Sequence, residues 1–169
     1  MPAEKEFFEK LEKSDDFADI FEVVKEGVEK VTGKSRAGLM LGLADLGGSR
    51  QSFLGAYYPV ASNIIVMNTF PLKAMREKSK ALLKPYVFTV LMHEYIHSLG
   101  VMDEEMTRKI TYSICQKILG ETHLATQLAK DITRFMPHFS YSNYGYFPET
   151  HPEIRLVEGF DKGNVTYVS

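Results

Sequence analysis

The chain has 169 residues, 44% hydrophobic and 25% charged, with a net charge of −2 at pH 7. That length suits one domain around one sizeable core, and the missing basic excess excludes a general nucleic-acid binder. No apolar run is long enough to cross a bilayer, and Met1-Pro2-Ala3-Glu4-Lys5-Glu6 leads into no apolar signal core, so a cytoplasmic protein without a membrane partner is expected.

The first periodic segment is helical: Phe17, Ile20, Phe21, Val24, Val28 and Val31 recur at steps of three and four with charged residues between them. Ser14-Asp15-Asp16 resembles its start and Gly33 its stop. From Arg36 to Asn68 the character changes. Ala37–Leu46 is apolar with two glycines, Gly47-Gly48-Ser49 breaks it, and Phe53–Pro59 and Asn63–Asn68 follow. Two or three short strands in an antiparallel arrangement are expected there.

Helices return after Pro71, first over the lysine-rich stretch Leu72–Leu83, which Lys84-Pro85 punctuates. From Val87 to Leu99 almost every face is apolar, which predicts a central, buried helix, stopped by Gly100. A further helix is expected over about Asp103–Leu119, with Met106, Ile110, Ile114 and Ile118 as its inner stripe. Another follows Gly120, with Leu124, Leu128, Ile132 and Phe135 buried. Cys115, the only cysteine, permits no intramolecular disulfide and reads as a buried structural thiol. Beyond Pro137 the chain turns to Tyr, Pro, Gly and Asn, and Ile154–Ser169 has room for one or two strands. The expected organisation is a catalytic domain over 1–136, with 1–33 as its N-terminal helical part. The aromatic and proline-rich segment 137–169 packs on the same domain.

Chemistry concentrates in His93-Glu94-Tyr95-Ile96-His97. Residues four apart on a helix lie one turn apart and about 40° round, so His93 and His97 point the same way and can share one Zn²⁺. Glu94 sits about 100° from His93. That suits it to touch a water on the metal, take its proton, and pass that proton to a leaving amine. Two histidines and a glutamate are expensive on a buried apolar helix unless something satisfies them. The plainer alternative is a pair of hydrogen-bonded core histidines beside an unrelated glutamate.

The longer run His93-Glu94-Tyr95-Ile96-His97-Ser98-Leu99-Gly100-Val101-Met102-Asp103 resembles the zincin metallopeptidases, with the pattern HExxHxxGxxD. It is similar in particular to compact mini-zincins of metzincin type, with aspartate in place of the usual third histidine. The resemblance implies an α+β fold, in which a small, mostly antiparallel sheet packs against the buried HExxH helix and several further helices. It also implies zinc as cofactor and a peptide or protein as substrate. It nominates Asp103 as third ligand, although an aspartate that opens a helix is also a standard N-cap. Glu104 and Glu105 are rivals, since the sister gluzincins take a glutamate from the next helix, and His123 is another. The likeness further suggests Met136 as a methionine turn, and a transition-state donor among Tyr141, Tyr144, Tyr146, His138 and His151. It suggests strand Asn63–Asn68 as a peptide-pairing edge. The competing expectation is a catalytically silent, zincin-like binding or scaffold protein with a structural metal.

Overall fold

A computed structural model of the chain describes residues 2–49, 52–142, 146, 148 and 151–161. Helix α1 (Pro2–Glu12) precedes α2 (Phe17–Thr32). The periodicity of α2 is the one expected from sequence. Its ends are as well: Asp16 accepts from the Asp19 amide, and Gly33 closes the helix at φ 74°, a conformation that favours glycine. Helix α1 falls within the helical part expected over 1–33, although its own bounds were not read from the sequence. Among its described side chains it buries Phe7 and Leu11, one turn apart, too short a stripe to mark the ends of a helix in a charged stretch.

Four strands follow: β1 (Met40–Ala44), β2 (Phe53–Leu54), β3 (Ala56–Tyr57) and β4 (Ile64–Asn68). Then come α3 (Thr69–Lys78), α4 (Lys80–Ser98), α5 (Glu104–Leu119) and α6 (Leu124–Lys130). A 3₁₀ turn at Ile132–Arg134 and strands β5 (Phe139–Ser140) and β6 (Arg155–Leu156) complete the described elements.

The architecture is α+β, but the sheet is mixed where a mostly antiparallel one was expected. In the order β3-β4-β1-β6, the central pair β1–β4 runs parallel while β3–β4 and β1–β6 run antiparallel; β2 and β5 form a separate parallel pair. The cause is visible in the residues. Ile65, Val66 and Met67 of β4 are all fully buried, so both faces of that strand are covered, the setting in which parallel strands occur. The intervening residues 45–63 give the chain room to cross back and start β4 in the direction of β1. Because β4 lies between β3 and β1, its backbone is already paired, and it is not the free edge that the resemblance suggested.

Two helix boundaries also moved. The break falls at Ser79, not at Lys84-Pro85, and α4 runs through Pro85. On α5 the buried residues are Thr107, Thr111, Ile114, Cys115, Ile118 and Leu119, while Met106 is 49% exposed. The inner stripe is therefore rotated toward α4 and includes two threonines. Phe135 lies beyond the end of α6 and is 37% exposed.

Helix α4 is the axis of the molecule. Tyr86 through His97 are all buried, with α2, α3, α5 and α6 packed around it and strands β3 and β4 against it. Arg36 fixes its end, donating to the Ser98 and Ser62 carbonyls and to the Tyr58 hydroxyl. The later chain joins the same core: Phe139 and Phe160 are buried, Phe160 stacks on Phe21 at 4.2 Å, and β6 pairs with β1.

Asp161 completes this attachment. It is 6% exposed, lies 2.5 Å from Lys25 Nζ, and accepts from the Leu39 amide. Burial works against charge on Lys25, but the Asp161 and Glu22 carboxylates outweigh it and raise its pKa. Asp161→Ala is expected to cost about 2 kcal/mol, because it leaves the half-buried Lys25 ammonium with Glu22 alone and the Leu39 amide without its acceptor. The urea midpoint reads that loss; an unchanged midpoint would mean the pair contributes nothing.

Candidate metal centre

The last two turns of α4 carry His93, Glu94 and His97, which are 0%, 1% and 4% exposed. The imidazoles of His93 and His97 lie one turn apart, with ring centroids 4.9 Å apart and planes at 80°. After Ser98 the chain reverses through Gly100, whose φ of 103° is open to glycine and strained for other residues. That turn brings the start of α5 back over the histidines.

The residue that arrives there is Glu104. Its Oε1 lies 2.6 Å from His93 Nε2 and its Oε2 lies 3.0 Å from His97 Nε2. One ligand atom from each of the three residues lies within 4.8 Å of the other two. His97 Nδ1 faces the Val101 carbonyl at 2.7 Å, which fixes the proton on that nitrogen and turns the Nε2 lone pair toward Glu104. Thr107 Oγ1 stands 3.5 Å from the same nitrogen.

Acceptor therefore faces acceptor across this gap. His93 Nε2 and Glu104 Oε1 are close but off the line of a hydrogen bond, and both are buried without a hydrogen-bond partner. Something positive between them would relieve the contact: a proton, or a cation. Burial pushes the His93 pKa down and so keeps the ring neutral. Burial also opposes charge on His97, but Glu104, Glu94 and the Val101 carbonyl together raise its pKa. Glu104 pays for burial too, yet the two imidazoles hold its carboxyl at about 2, so it is ionised.

Glu94 is not part of this triad. Both its oxygens are buried and unpartnered, and burial pushes its carboxyl up to about 8. The buried Tyr86 hydroxyl, within electrostatic reach of Glu94, is also unpartnered. Tyr141 lies flat on the His93 ring, with centroids 3.8 Å apart and planes at 10°.

The other residues singled out from sequence lie away from this cluster. Asp103 is the N-cap of α5: its Oδ1 accepts from the Glu105 and Met106 amides at 2.8 and 3.3 Å, so the cap and not the triad engages it. Glu105 is exposed and 3.4 Å from Lys109. His123 caps α6 through Nδ1, and its ring meets Phe8 edge-on. Met136 is buried in the core, while His138 and His151 are exposed. Tyr146 packs on Tyr57, and Tyr144 lies outside the described residues. Cys115 is buried 4.0 Å from Met92 Sδ, its thiol pushed up to about 12 by burial, which suits packing and not ligation. Among the described residues of the suggested tyrosines and histidines, Tyr141 is the one with a ring contact to a member of the triad.

Thr107, Val101 and Tyr86 were not singled out from sequence. A buried threonine ten residues beyond a histidine carries no signal of its own, and Val101 acts through its backbone. The donor set of two imidazoles and a carboxylate fits a borderline divalent ion such as Zn²⁺, and the orphaned atoms supply the reason to want one. No family model matches this chain, and no curated protein or solved structure is significantly similar to it, so its function must be read from the triad itself.

Proposed function

We propose that the chain is a zinc-dependent metallohydrolase acting on peptide bonds, with His93, His97 and Glu104 holding the metal and Glu94 as general base. The observation that carries this reading is that ligand atoms of two buried histidines and a half-buried glutamate lie within 4.8 Å of one another, next along the helix to a buried, unpartnered glutamate. Zinc in such a site supplies Lewis acidity, polarising a carbonyl and acidifying water toward neutral pH. Glu94, about 100° round the helix from His93 and outside the ligand triad, interacts electrostatically with His97 and Glu104, which supports its role as the proton carrier. Without metal, burial holds the Glu94 carboxyl well above the ordinary glutamate range, at about 8, and a cation beside it would draw it back toward neutrality, the range in which one carboxyl can both take and return a proton. Val101 and Thr107 hold the His97 ring, and Tyr141 lies against that of His93.

A charged His97–Glu104 pair without metal accounts for less, because it leaves His93 Nε2 and Glu94 buried and unsatisfied. The second reading is a silent zincin-like binding protein. It is favoured by the closure of the site, since Glu94 is only 1% exposed and Tyr141 covers His93.

Metal analysis separates these readings. The expected result is one equivalent of zinc in the wild-type protein and none after His97→Ala. No bound metal after zinc is supplied would sink the site. Zinc held without cleavage of any member of a broad peptide library would move the weight to the silent reading.

A further inference from the structure

The segment that covers the site runs as an extended peptide. Residues 138–140 pair with residues 53–55: the Phe53 amide donates to the His138 carbonyl at 2.9 Å and the Gly55 amide to the Ser140 carbonyl at 3.3 Å. The next residue, Tyr141, crosses the face of His93. Adding a strand to an exposed backbone edge, with alternate side chains dropped into pockets, is how many proteins hold extended peptides.

The side chains follow that alternation. His138 and Ser140 face solvent, while Phe139 is 5% exposed. The Phe139 ring meets Phe53, Tyr86 and Tyr141 edge-on at 5.9, 6.0 and 4.7 Å. Gly55 makes the space: a Cβ there would collide with the Phe139 ring and come within 3.0 Å of the Tyr86 hydroxyl. The result is an aromatic-sized pocket beside the triad, entered from a two-residue strand that two backbone hydrogen bonds hold.

We propose that residues 138–142 occupy this protein's own peptide-recognition track, and that the Phe53–Gly55 edge with its aromatic pocket receives extended peptides bearing an aromatic residue when that segment lifts. The proposal deepens the hydrolase reading and rests on it for the metal, but the track itself is a matter of backbone pairing and pocket shape. In this structure the chain is its own occupant, with Tyr141 laid over the His93 ring.

Two measurements on the full chain test this. The first follows zinc removal by a chelator: Tyr141→Ala is expected to release metal at least about tenfold faster than wild type, and Tyr141→Phe, which keeps the stack, at the wild-type rate. The second uses Phe139→Ala/Tyr141→Ala and a labelled synthetic peptide of residues 137–142. The variant is expected to bind the peptide, or to regain its melting temperature on adding it, while a peptide with serine at both aromatic positions does neither. A folded variant that ignores the peptide, or an unfolded one that the peptide does not restore, overturns the proposal, as do equal chelation rates. If wild-type protein holds no metal, the hydrolase reading fails while peptide binding still decides the track.

Discussion

Glu104→Ala is expected to weaken zinc binding by more than about 100-fold, whereas Asp103→Ala leaves it unchanged. The two residues are neighbours with opposite duties. Asp103 spends its carboxylate on two helix amides, and Glu104, one position on, sets one oxygen toward each histidine. Even partners outside the ligand shell are worth 10- to 100-fold in metal affinity, so removal of a ligand exceeds that range. Asp103→Ala loses an N-cap and costs about 1 kcal/mol of stability with metal retained. Competition against a chromophoric chelator measures the first effect and urea unfolding the second. Zinc lost with Asp103 and kept without Glu104 would reverse the assignment.

The second large effect belongs to Glu94→Gln, which is expected to abolish hydrolysis, keep zinc, and stabilise the metal-free protein at pH 8. Removing a general base costs on the order of 10²- to 10⁴-fold in rate. The stability effect follows from burial. The carboxyl titrates at about 8 in the folded protein, far above an ordinary glutamate, because the charged form is poorly solvated. The neutral form is favoured by folding, so its contribution is complete below about pH 4.5. It drains away as pH rises toward 8, where the unfolded chain is freely ionised. A neutral glutamine escapes that loss, which is on the order of 4 kcal/mol across the window. Thermal melts of chelated wild type and variant at pH 5 and pH 8 decide this: the variant's advantage should be small at pH 5 and large at pH 8. An advantage that does not change with pH would show that Glu94 does not titrate there.

What could be read from sequence was what depends on local spacing. His93 and His97 meet because four residues make a helical turn, and α2 begins at Asp16 and ends at Gly33 because those residues close helices. The third member of the candidate triad was not legible, since both Asp103 and Glu104 follow the same glycine and only the dihedral path of the turn decides which carboxylate faces the histidines of α4. Strand direction was hidden for a similar reason: Ile64–Asn68 reads alike whether its neighbour runs with it or against it. The cover over the site was the least legible. Nothing local marks Tyr141 among several tyrosines, because it lies 48 positions along the chain from His93, with α5 and α6 between them.

The sulfur pair between α4 and α5 has a practical consequence. Cys115 is the only thiol in the chain, wholly buried against Met92, the residue before His93. An alkylating reagent reaches it only when α5 parts from α4, so the rate of labelling is a clock for the opening of the candidate centre. A ligand that binds only the closed form slows that clock by the factor 1 + [L]/Kd. Zinc titrated into the chelated protein should therefore leave its affinity written in the labelling rate of one cysteine, with no substrate needed.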